Sequence, residues 1–305
     1  MIKEGMGMKQ FRNKTEGLFN FQDLKSPGVR IAYACMFIFL LLLSAICLFP
    51  IIWVFLSAFK TPEEMYKIPP DILPKAFDLD RVKTLMGRVN FVKYFTNTLI
   101  VIVGCWAFDI VFNGLAGYVL SRIKPKGSAL LETVIFWSML LPGISMAPLY
   151  MTFIDMPIIH INLRGSYLPL WLMAGCNAFN ILLFRNFFNG IPMDYIDAAR
   201  IDGCSNLNVF FKIIMPLSKP ILVVVSIFSI IGSWSNFMWP YLILGSTPKE
   251  PISVLLYQIT NGAGLKLMDN EVMMVTMLAI IPPLLIYALL SRHITGGLNM
   301  SGLKG

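Results

Sequence analysis

This chain of 305 residues is 56% hydrophobic and only 14% charged, and its mean hydropathy is +0.69. Soluble domains carry about 25% charged residues, so the composition excludes an ordinary soluble domain and indicates a membrane protein. The formal net charge of +8 comes from 25 Lys and Arg residues against 17 Asp and Glu residues.

A polar stretch, residues 1–30, precedes the first apolar run and is predicted to be a cytosolic tail. The apolar run continues for about 28 residues and has no small-residue cleavage site after a short apolar region. It therefore predicts a retained membrane anchor and not a cleaved signal peptide.

A helix needs about 20 mostly apolar residues to cross the hydrocarbon core, and six stretches of this chain meet that length. They predict an all-α polytopic membrane protein whose six-helix domain covers residues 31–291. The predicted spans are Ile31–Ala58, Leu99–Ser121, Ala129–Phe153, Tyr167–Phe184, Ile221–Leu244 and Val272–Leu290.

The distribution of basic residues predicts the topology, because Lys and Arg accumulate in cytosolic loops. Six spans place both termini on one side. If that side is the cytosol, the cytosolic segments carry 15 of the 25 Lys and Arg residues. Both termini are therefore predicted to be cytosolic, with a C-terminal tail at residues 292–305. The basic charge reflects this topology, and we expect no nucleic-acid partner.

Two longer segments are predicted to lie on the outer side. Residues 60–97 contain several Pro residues and scattered charges, which predict short surface helices. In residues 245–270, Pro and Gly surround the apolar run 252–257. This pattern predicts a loop that either dips back towards the protein or reaches a partner.

Asp109 is the ionisable residue that lies most clearly inside a predicted span, where a charge is usually functional or paired. Two interpretations stay open: a structural hydrogen bond, for which Asn113 one turn on is a candidate, and a role in a substrate pathway. Glu132 lies near the cytosolic end of its span and is predicted to be interfacial.

A polar segment, residues 192–216, separates the fourth and fifth predicted spans, and we call it the interspan segment. Asp194, Asp197 and Asp202 lie within nine residues of one another and cannot be left in hydrocarbon. The segment must therefore face water, and the charge count places it in the cytosol.

Local signals predict a helix, a turn and a second helix in the interspan segment. Pro192 suits the first turn of a helix, and Gly203 suits the left-handed residue just past its end. Ser205 can cap a second helix, which would re-enter the membrane at Pro216.

The first of these helices has the features of a part that inserts into another protein. Ala198 and Ala199 keep it thin, Ile196 and Ile201 offer apolar contacts, and Arg200 is available for an acidic partner. The alternative interpretation is an interfacial helix that rests on lipid headgroups.

The interspan segment also matches a known pattern without a gap: Glu-Ala-Ala, three residues, Gly, nine residues, Ile, one residue, Leu-Pro. The residues at these positions are Asp197, Ala198, Ala199, Gly203, Ile213, Met215 and Pro216. The segment resembles the EAA loop of bacterial ABC-importer permeases, with Asp for Glu and Met for Leu as departures. The resemblance extends from about Leu48 to Gly305 and is strongest to the maltose-permease-like subunit of carbohydrate importers.

The resemblance implies a type I ABC-importer permease fold in the bacterial cytoplasmic membrane, and import of a carbohydrate, in particular an oligosaccharide. It implies four partners: a second homologous permease, a dimeric ABC ATPase, an extracytoplasmic sugar-binding protein and membrane lipid. Coupling to the ATPase is implied for Asp197, Ala198, Ala199, Arg200, Asp202, Gly203 and Pro216. Contact of the Gly-rich tail with the ATPase is implied for Gly296, Gly297, Gly302 and Lys304.

The chain itself is not expected to hydrolyse ATP, because it lacks the Gly-x4-Gly-Lys-Ser/Thr phosphate cradle. ATP and Mg²⁺ would be bound by the partner ATPase, and we expect no cofactor or metal in this chain. An intramembrane enzyme is disfavoured, since no catalytic motif appears. The alternative that stays open is an ion-coupled secondary transporter, or another polytopic protein without an ATPase partner.

A sugar pathway would need aromatic faces and hydrogen-bonding side chains. The fifth span supplies both within six residues, although Trp also collects at membrane interfaces. The predicted pathway residues are Asp109, Asn177, Trp234, Asn236, Phe237 and Trp239, with Asn180 as a weaker candidate beside Asn177.

Overall fold

The computed structural model describes residues 27–69, 71–140, 145–157, 160–262 and 265–298, with side chains as far as residue 288. Within those ranges every regular element is a helix, which confirms the all-α prediction. The chain divides after Leu56 into two compact units.

Helix α1 (Pro27–Ser57) accounts for the described part of the first unit. It is 31 residues long with a mean hydropathy of 2.9, and none of its apolar stretch is buried. Apolar side chains lie on every face, including Phe39 and Ile46. Since about 20 apolar residues cross a bilayer, α1 is long and apolar enough to span one.

The helices of the second unit follow in chain order. They are α2 (Pro62–Met65), α3 (Leu79–Val89), α4 (Phe91–Ile123), α5 (Ser128–Leu140), α6 (Met146–Ile154), α7 (Leu168–Ala174), α8 (Ala178–Asn189), α9 (Asp194–Ile201), α10 (Asn206–Leu217), α11 (Lys219–Ser235), α12 (Met238–Leu244), α13 (Ile252–Thr260) and α14 (Asp269–Leu298). Wider π-helical turns interrupt α4 at Asp109–Asn113 and Val119–Ile123, and α10 at Phe210–Ile214.

The described helices provide three unbroken candidate spans, which are α1, α4 and residues 269–288 of α14. Two further candidates are bent pairs: α7 with α8 at 42°, and α10 with α11 at 86°. The predicted span Ala129–Phe153 contains the shorter helices α5 and α6, and residues 141–144 between them lie outside the described ranges. The count of six spans therefore stays a prediction.

Local chemistry explains both bends. At the first, Asn177 has an extended backbone, and its side-chain oxygen accepts a hydrogen bond from the Asn180 amide, as helix N-caps do. At the second, Ser218 ends α10, and its hydroxyl donates to the Ile214 carbonyl at 2.6 Å. Pro220 stands in the first turn of α11, where its missing N–H costs no helical hydrogen bond.

The helices α4 and α8 cross at close range. A methyl group on Gly117 would lie 2.7 Å from the Phe184 Cβ and 2.9 Å from the Arg185 amide nitrogen. Membrane helices approach this closely where one of them carries a small residue. The crossing therefore requires glycine at this position.

The predicted outer segment, residues 245–270, dips back onto the protein. The Thr98 hydroxyl of α4 accepts a hydrogen bond from the Ile252 amide at 2.9 Å. The Asn97 side chain donates to the carbonyls of Pro248 and Glu250. Apolar residues of α13 such as Val254 are buried. The structure thus favours the first of the two interpretations of this segment.

Candidate functional site

The first helix of the interspan segment ends as predicted. Gly203 follows α9 with a φ of +79°, a left-handed conformation that favours glycine. Its amide donates to the Arg200 carbonyl at 3.0 Å, and the Cys204 amide donates to the Ala199 carbonyl at 2.9 Å. These bonds satisfy carbonyls that the helix end leaves open.

The predicted start of α10 is confirmed, whereas α9 begins later than predicted. The hydroxyl of Ser205 caps α10 by accepting from the Asn208 amide at 3.3 Å, as expected. Helix α9, however, begins at Asp194, and Pro192 precedes it by two residues. Pro216 is exposed in the last turn of α10, and the sharp bend follows it at Ser218.

Helix α9 presents one face to its own chain and another to solvent. Ile196 is fully buried and Ala199 is 6% exposed, whereas Ile201 is 85% exposed. The prediction that Ile196 contacts another protein is therefore wrong, since its position on the helix directs it inwards. The remaining predicted coupling residues are exposed, namely Asp197, Ala198, Arg200, Asp202, Gly203 and Pro216.

Arg200 is not unpaired in this chain, because its Nη1 lies 3.6 Å from Oδ1 of Asp197 one turn earlier. Both side chains are exposed, and exposed pairs of this kind are worth about 0–1 kcal/mol. Such a weak pair can be exchanged readily for an acidic group on a partner.

Arg122, at the end of α4, fastens the start of the interspan segment. Its guanidinium donates to the backbone carbonyls of Phe188 and Ile191, and Nη1 lies 3.5 Å from the Met193 sulfur. Sequence reasoning used Arg122 only for counting charge. The fixed fork of donors on Arg suits it to bind several carbonyls of a helix end at once.

Beneath α9 lies a group of four rings that we call the aromatic cluster: Tyr118, Phe184, Phe188 and Phe210, each 0–1% exposed. The ring centroids are 5.5 Å apart for Tyr118 and Phe210, and 5.5 Å apart for Phe184 and Phe188. Ile196 belongs to the same buried core. Helix α9 is therefore packed firmly onto α4, α8 and α10.

A second feature is a cavity of about 300 Å³ between α4, α7, α8, α11 and α12. Its wall is mixed, with apolar residues such as Leu170 and Phe228 and a group of polar side chains. The polar members are Cys105, Asp109, Asn177, Asn180, Ser229, Ser233 and Asn236.

Asp109 is held in this wall by amides. The Asn113 Nδ2 donates to Asp109 Oδ1 at 2.6 Å, and the Asn180 Nδ2 lies 2.9 Å from both carboxylate oxygens. Asn113 also donates to the Ala174 carbonyl and accepts from the Asn177 amide, so it bridges the break between α7 and α8. The structural interpretation of Asp109, with Asn113 as its partner, is confirmed, and the same residue faces the cavity.

Four of the six predicted pathway residues meet at this cavity: Asp109, Asn177, Asn236 and Trp239. Ser229 and Ser233 join them and were missed by sequence reasoning. Their spacing could have identified them. Ser229 and Ser233 are four residues apart and Asn236 follows three residues later, a spacing that places side chains on one helix face.

Two predicted pathway residues lie elsewhere. Trp234 is 9% exposed and packs in a different core with Phe91 and Ile102. The ring of Phe237 stacks on Tyr257 of α13 at 5.1 Å. Trp234 directly follows Ser233 on α11, so its side chain points to a different face, and Phe237 lies beyond α11 at the start of α12.

Glu132 and part of the predicted C-terminal tail also lie within the described residues. Glu132 is paired with Arg185, its Oε2 lying 2.7 Å from Nη2. The backbone of α14 continues through Leu298 and so includes Gly296 and Gly297. Gly302 and Lys304 lie outside the described residues.

Comparisons with known proteins place these features in a family. Residues 110–298 match the family described as "Binding-protein-dependent transport system inner membrane component". The polygalacturonan/rhamnogalacturonan transport system permease protein YtcP of Bacillus subtilis is 31% identical over 88% of this chain and 96% of its own. The arabinooligosaccharides transport system permease protein AraQ of the same organism is 27% identical over 92% of this chain and 99% of its own.

A solved structure has the same fold. It is the crystal structure of a bacterial ABC transporter involved in the import of the acidic polysaccharide alginate, and one of its chains has a TM-score of 0.76. The match covers 88% of this chain and 98% of that one at 24% identity. The predicted type I ABC-importer permease fold is thereby confirmed, and the secondary-transporter alternative falls away. The chain belongs to the family of binding-protein-dependent transport system inner membrane components, as a multi-pass permease subunit of an ABC transporter in the bacterial cytoplasmic membrane and not an enzyme.

Proposed function

We propose that this chain forms one half of the pathway of an ATP-driven oligosaccharide importer. In this proposal it pairs with a second, homologous permease, a dimeric ABC ATPase and an extracytoplasmic sugar-binding protein. The names of several relatives support an oligosaccharide, since they are permeases of arabinooligosaccharide and galactooligosaccharide transport systems. A structural neighbour with a TM-score of 0.61 was solved with an alginate pentasaccharide-bound periplasmic protein.

The interspan segment is the proposed site of coupling to the ATPase. The observation that carries this proposal is its pair of faces: Ile196 is fully buried in the chain's own core, while Ile201 is 85% exposed. Leu207 and Phe211 are exposed on α10 as well. An exposed apolar surface on a firmly seated helix suits a groove on another protein.

A movement of the ATPase would reach the membrane through contacts already described. Arg122 ties the start of the segment to the end of α4, and the aromatic cluster fills the space below α9. Because closely packed interiors transmit displacement and do not absorb it, α4 and α8 would move with the segment. Closure of the ATPase would then pull the segment and turn the pathway outwards.

The cavity around Asp109 is the proposed contribution of this subunit to the pathway. It shares α4 and α8 with the helices that the interspan segment would move. Trp239 provides an aromatic face and Asn177, Asn180 and Asn236 provide amides, which together suit a sugar ring and its hydroxyl groups. ATP and Mg²⁺ are assigned to the partner ATPase.

The C-terminal tail is a second proposed contact with the ATPase. Gly296, Gly297, Gly302 and Lys304 carry this proposal, which rests on the resemblance of the tail. Removal of residues 296–305 is expected to lower substrate-stimulated ATP hydrolysis in the reconstituted complex. Unchanged stimulation would refute this contact.

The decisive experiment for the interspan segment replaces Gly203 with Val. The left-handed φ of +79° strains a β-branched residue by about 1–3 kcal/mol, so the turn should rearrange. We expect normal membrane insertion, retained ATP hydrolysis and strongly reduced uptake of oligosaccharide in proteoliposomes that contain the whole complex.

Gly127 provides a matched control. It has a φ of +89° with nothing within 4 Å of an added methyl group, so Gly127→Val places comparable strain in a different turn. The control should retain uptake. Equal uptake in the two variants, or normal uptake in Gly203→Val, would contradict the coupling role.

A further inference from the structure

The cavity wall carries a negative charge without a cation. Among the described residues that line the cavity, Asp109 is the one acid, and none is Lys, Arg or His. No salt bridge between described residues includes Asp109. Both of its oxygens instead accept hydrogen bonds from the neutral amides of Asn113 and Asn180. The charge is thus solvated by dipoles but is not neutralised.

A second acceptor in the same wall lacks a donor. Asn180 is 4% exposed, and its Oδ1 has no hydrogen-bond partner in the described structure. The amide cannot simply be turned over, because its Nδ2 must face the carboxylate of Asp109. Buried acceptors are rarely left without a donor. This oxygen is shielded from solvent, so a donor in the cavity would reach it after a small movement of the Asn180 side chain.

These two acceptors select among sugars. A hydroxyl group can donate to Asn180 Oδ1, whereas a carboxylate cannot donate and would be repelled by Asp109. Building on the function proposed above, we propose that the cavity admits oligosaccharides without carboxylate groups and disfavours acidic ones. Asp109 is the residue that determines this specificity, and Asn180 is the residue that receives a sugar hydroxyl.

Relatives do not decide this point in advance. A structural neighbour belongs to a transporter of an acidic polysaccharide, and YtcP is named for polygalacturonan, whose sugar units carry carboxylates. Other relatives are named for arabinooligosaccharides and galactooligosaccharides. The repulsion between Asp109 and a carboxylate does not depend on those names. Two like charges several ångströms apart in a protein interior disfavour binding by roughly tenfold or more.

The test measures binding of matched trisaccharides to the full complex in lipid nanodiscs by saturation-transfer NMR. The neutral probes are galactotriose, arabinotriose and xylotriose, and the acidic probes are trigalacturonate and trimannuronate. At least one neutral probe should bind to the wild-type complex, and the acidic probes should bind at least about tenfold more weakly.

Two variants assign the effect to this cavity. Asp109→Asn keeps the shape and one acceptor oxygen for Asn113 and Asn180 but removes the charge, so binding of the acidic probes should rise by about tenfold. Asn180→Leu removes the acceptor and should weaken the best neutral probe by a comparable factor. Glu132→Gln is the control, since Glu132 pairs with Arg185 and does not line the cavity. It should leave the binding of both the acidic probes and the best neutral probe unchanged.

Three results would overturn the specificity proposal: acidic probes that bind wild type as well as the best neutral probe, a neutral-to-acidic ratio unchanged in Asp109→Asn, or no binding of any neutral probe. Uptake assays keep the two proposals apart. ATP-dependent uptake of acidic but not neutral oligosaccharides would contradict the specificity proposal and still support the proposed importer function. Absence of uptake of any oligosaccharide would sink the proposed function itself.

Discussion

The aromatic cluster and the cavity share helices α4 and α8 but are built in opposite ways. Helix α4 supplies Tyr118 to the cluster and Asp109 to the cavity, and α8 supplies Phe184 and, one turn earlier, Asn180. The cluster is filled by rings with no polar partner for the Tyr118 hydroxyl among described residues. The cavity is a space of about 300 Å³, and its wall combines apolar and polar side chains. One region is thus suited to holding helices together, and the other to receiving a solute.

Removal of one ring should test the cluster most severely. Phe210 is fully buried against Tyr118 and Phe188, so Phe210→Ala should lower the free energy of unfolding by about 3–5 kcal/mol. Thermal unfolding of the purified complex measures this loss. The neighbouring Phe211 is 49% exposed, and Phe211→Ala should have a much smaller effect. Equal losses would show that the cluster is not the stabilising region.

Overfilling the helix crossing should be the next largest effect. Gly117→Val would place atoms within 3 Å of α8 and should cost about 1–3 kcal/mol through strain. The same thermal assay applies. Gly87→Ala in α3, where nothing lies within 4 Å, serves as the control and should be tolerated. A stable Gly117→Val protein would contradict the close crossing.

Breaking the amide network should affect the cavity more than the cluster. Asn113→Ala removes donors to Asp109 and Ala174 and should lower stability by about 1–3 kcal/mol, since buried groups lose partners. Uptake should fall at the same time, because the break between α7 and α8 loses its bridge. Thr133→Ala, which removes an exposed hydroxyl bonded within its own helix, should change neither quantity.

The smallest effect on stability is expected for the cavity wall itself. Ser229 is 8% exposed, so Ser229→Ala removes a buried hydroxyl that hydrogen-bonds Asp109 and should lower stability by about 0.5–1.5 kcal/mol. The KM for uptake should nevertheless rise, while ATP hydrolysis stays coupled. An unchanged KM would separate Ser229 from the solute.

Local sequence rules predicted the interspan segment well because its signals are short-range. Gly203 and Ser205 each act on backbone groups a few residues away, so their roles follow from spacing alone. The two faces of α9 were harder. Ile196 and Ile201 are equally apolar, and only the packing of distant α4 and α8 shows which of them is buried.

The cavity was predicted only in part, because it joins residues far apart in the chain. Asp109 was noticed as a charge in an apolar span, and Asn180 beside it was rated as weak. Their 2.9 Å contact spans 71 positions and has no local signal. Trp234 and Phe237 were included for their aromatic faces, but residues close in sequence near a helix end point in different directions.

The bend at Ser218 has a mechanical consequence. The two arms of this element, α10 and α11, meet at 86°, and the corner is braced by a buried hydroxyl bonded to the Ile214 carbonyl. If α10 and α11 rotate together as a rigid body about Ser218, a displacement of α10 perpendicular to its axis displaces α11 perpendicular to its own axis. A force on the interspan segment along the membrane normal would then displace α11 in the membrane plane. Helix α11 carries the cavity residues Ser229 and Ser233. The bend would therefore let a force applied on the cytosolic side change the width of the cavity within the bilayer.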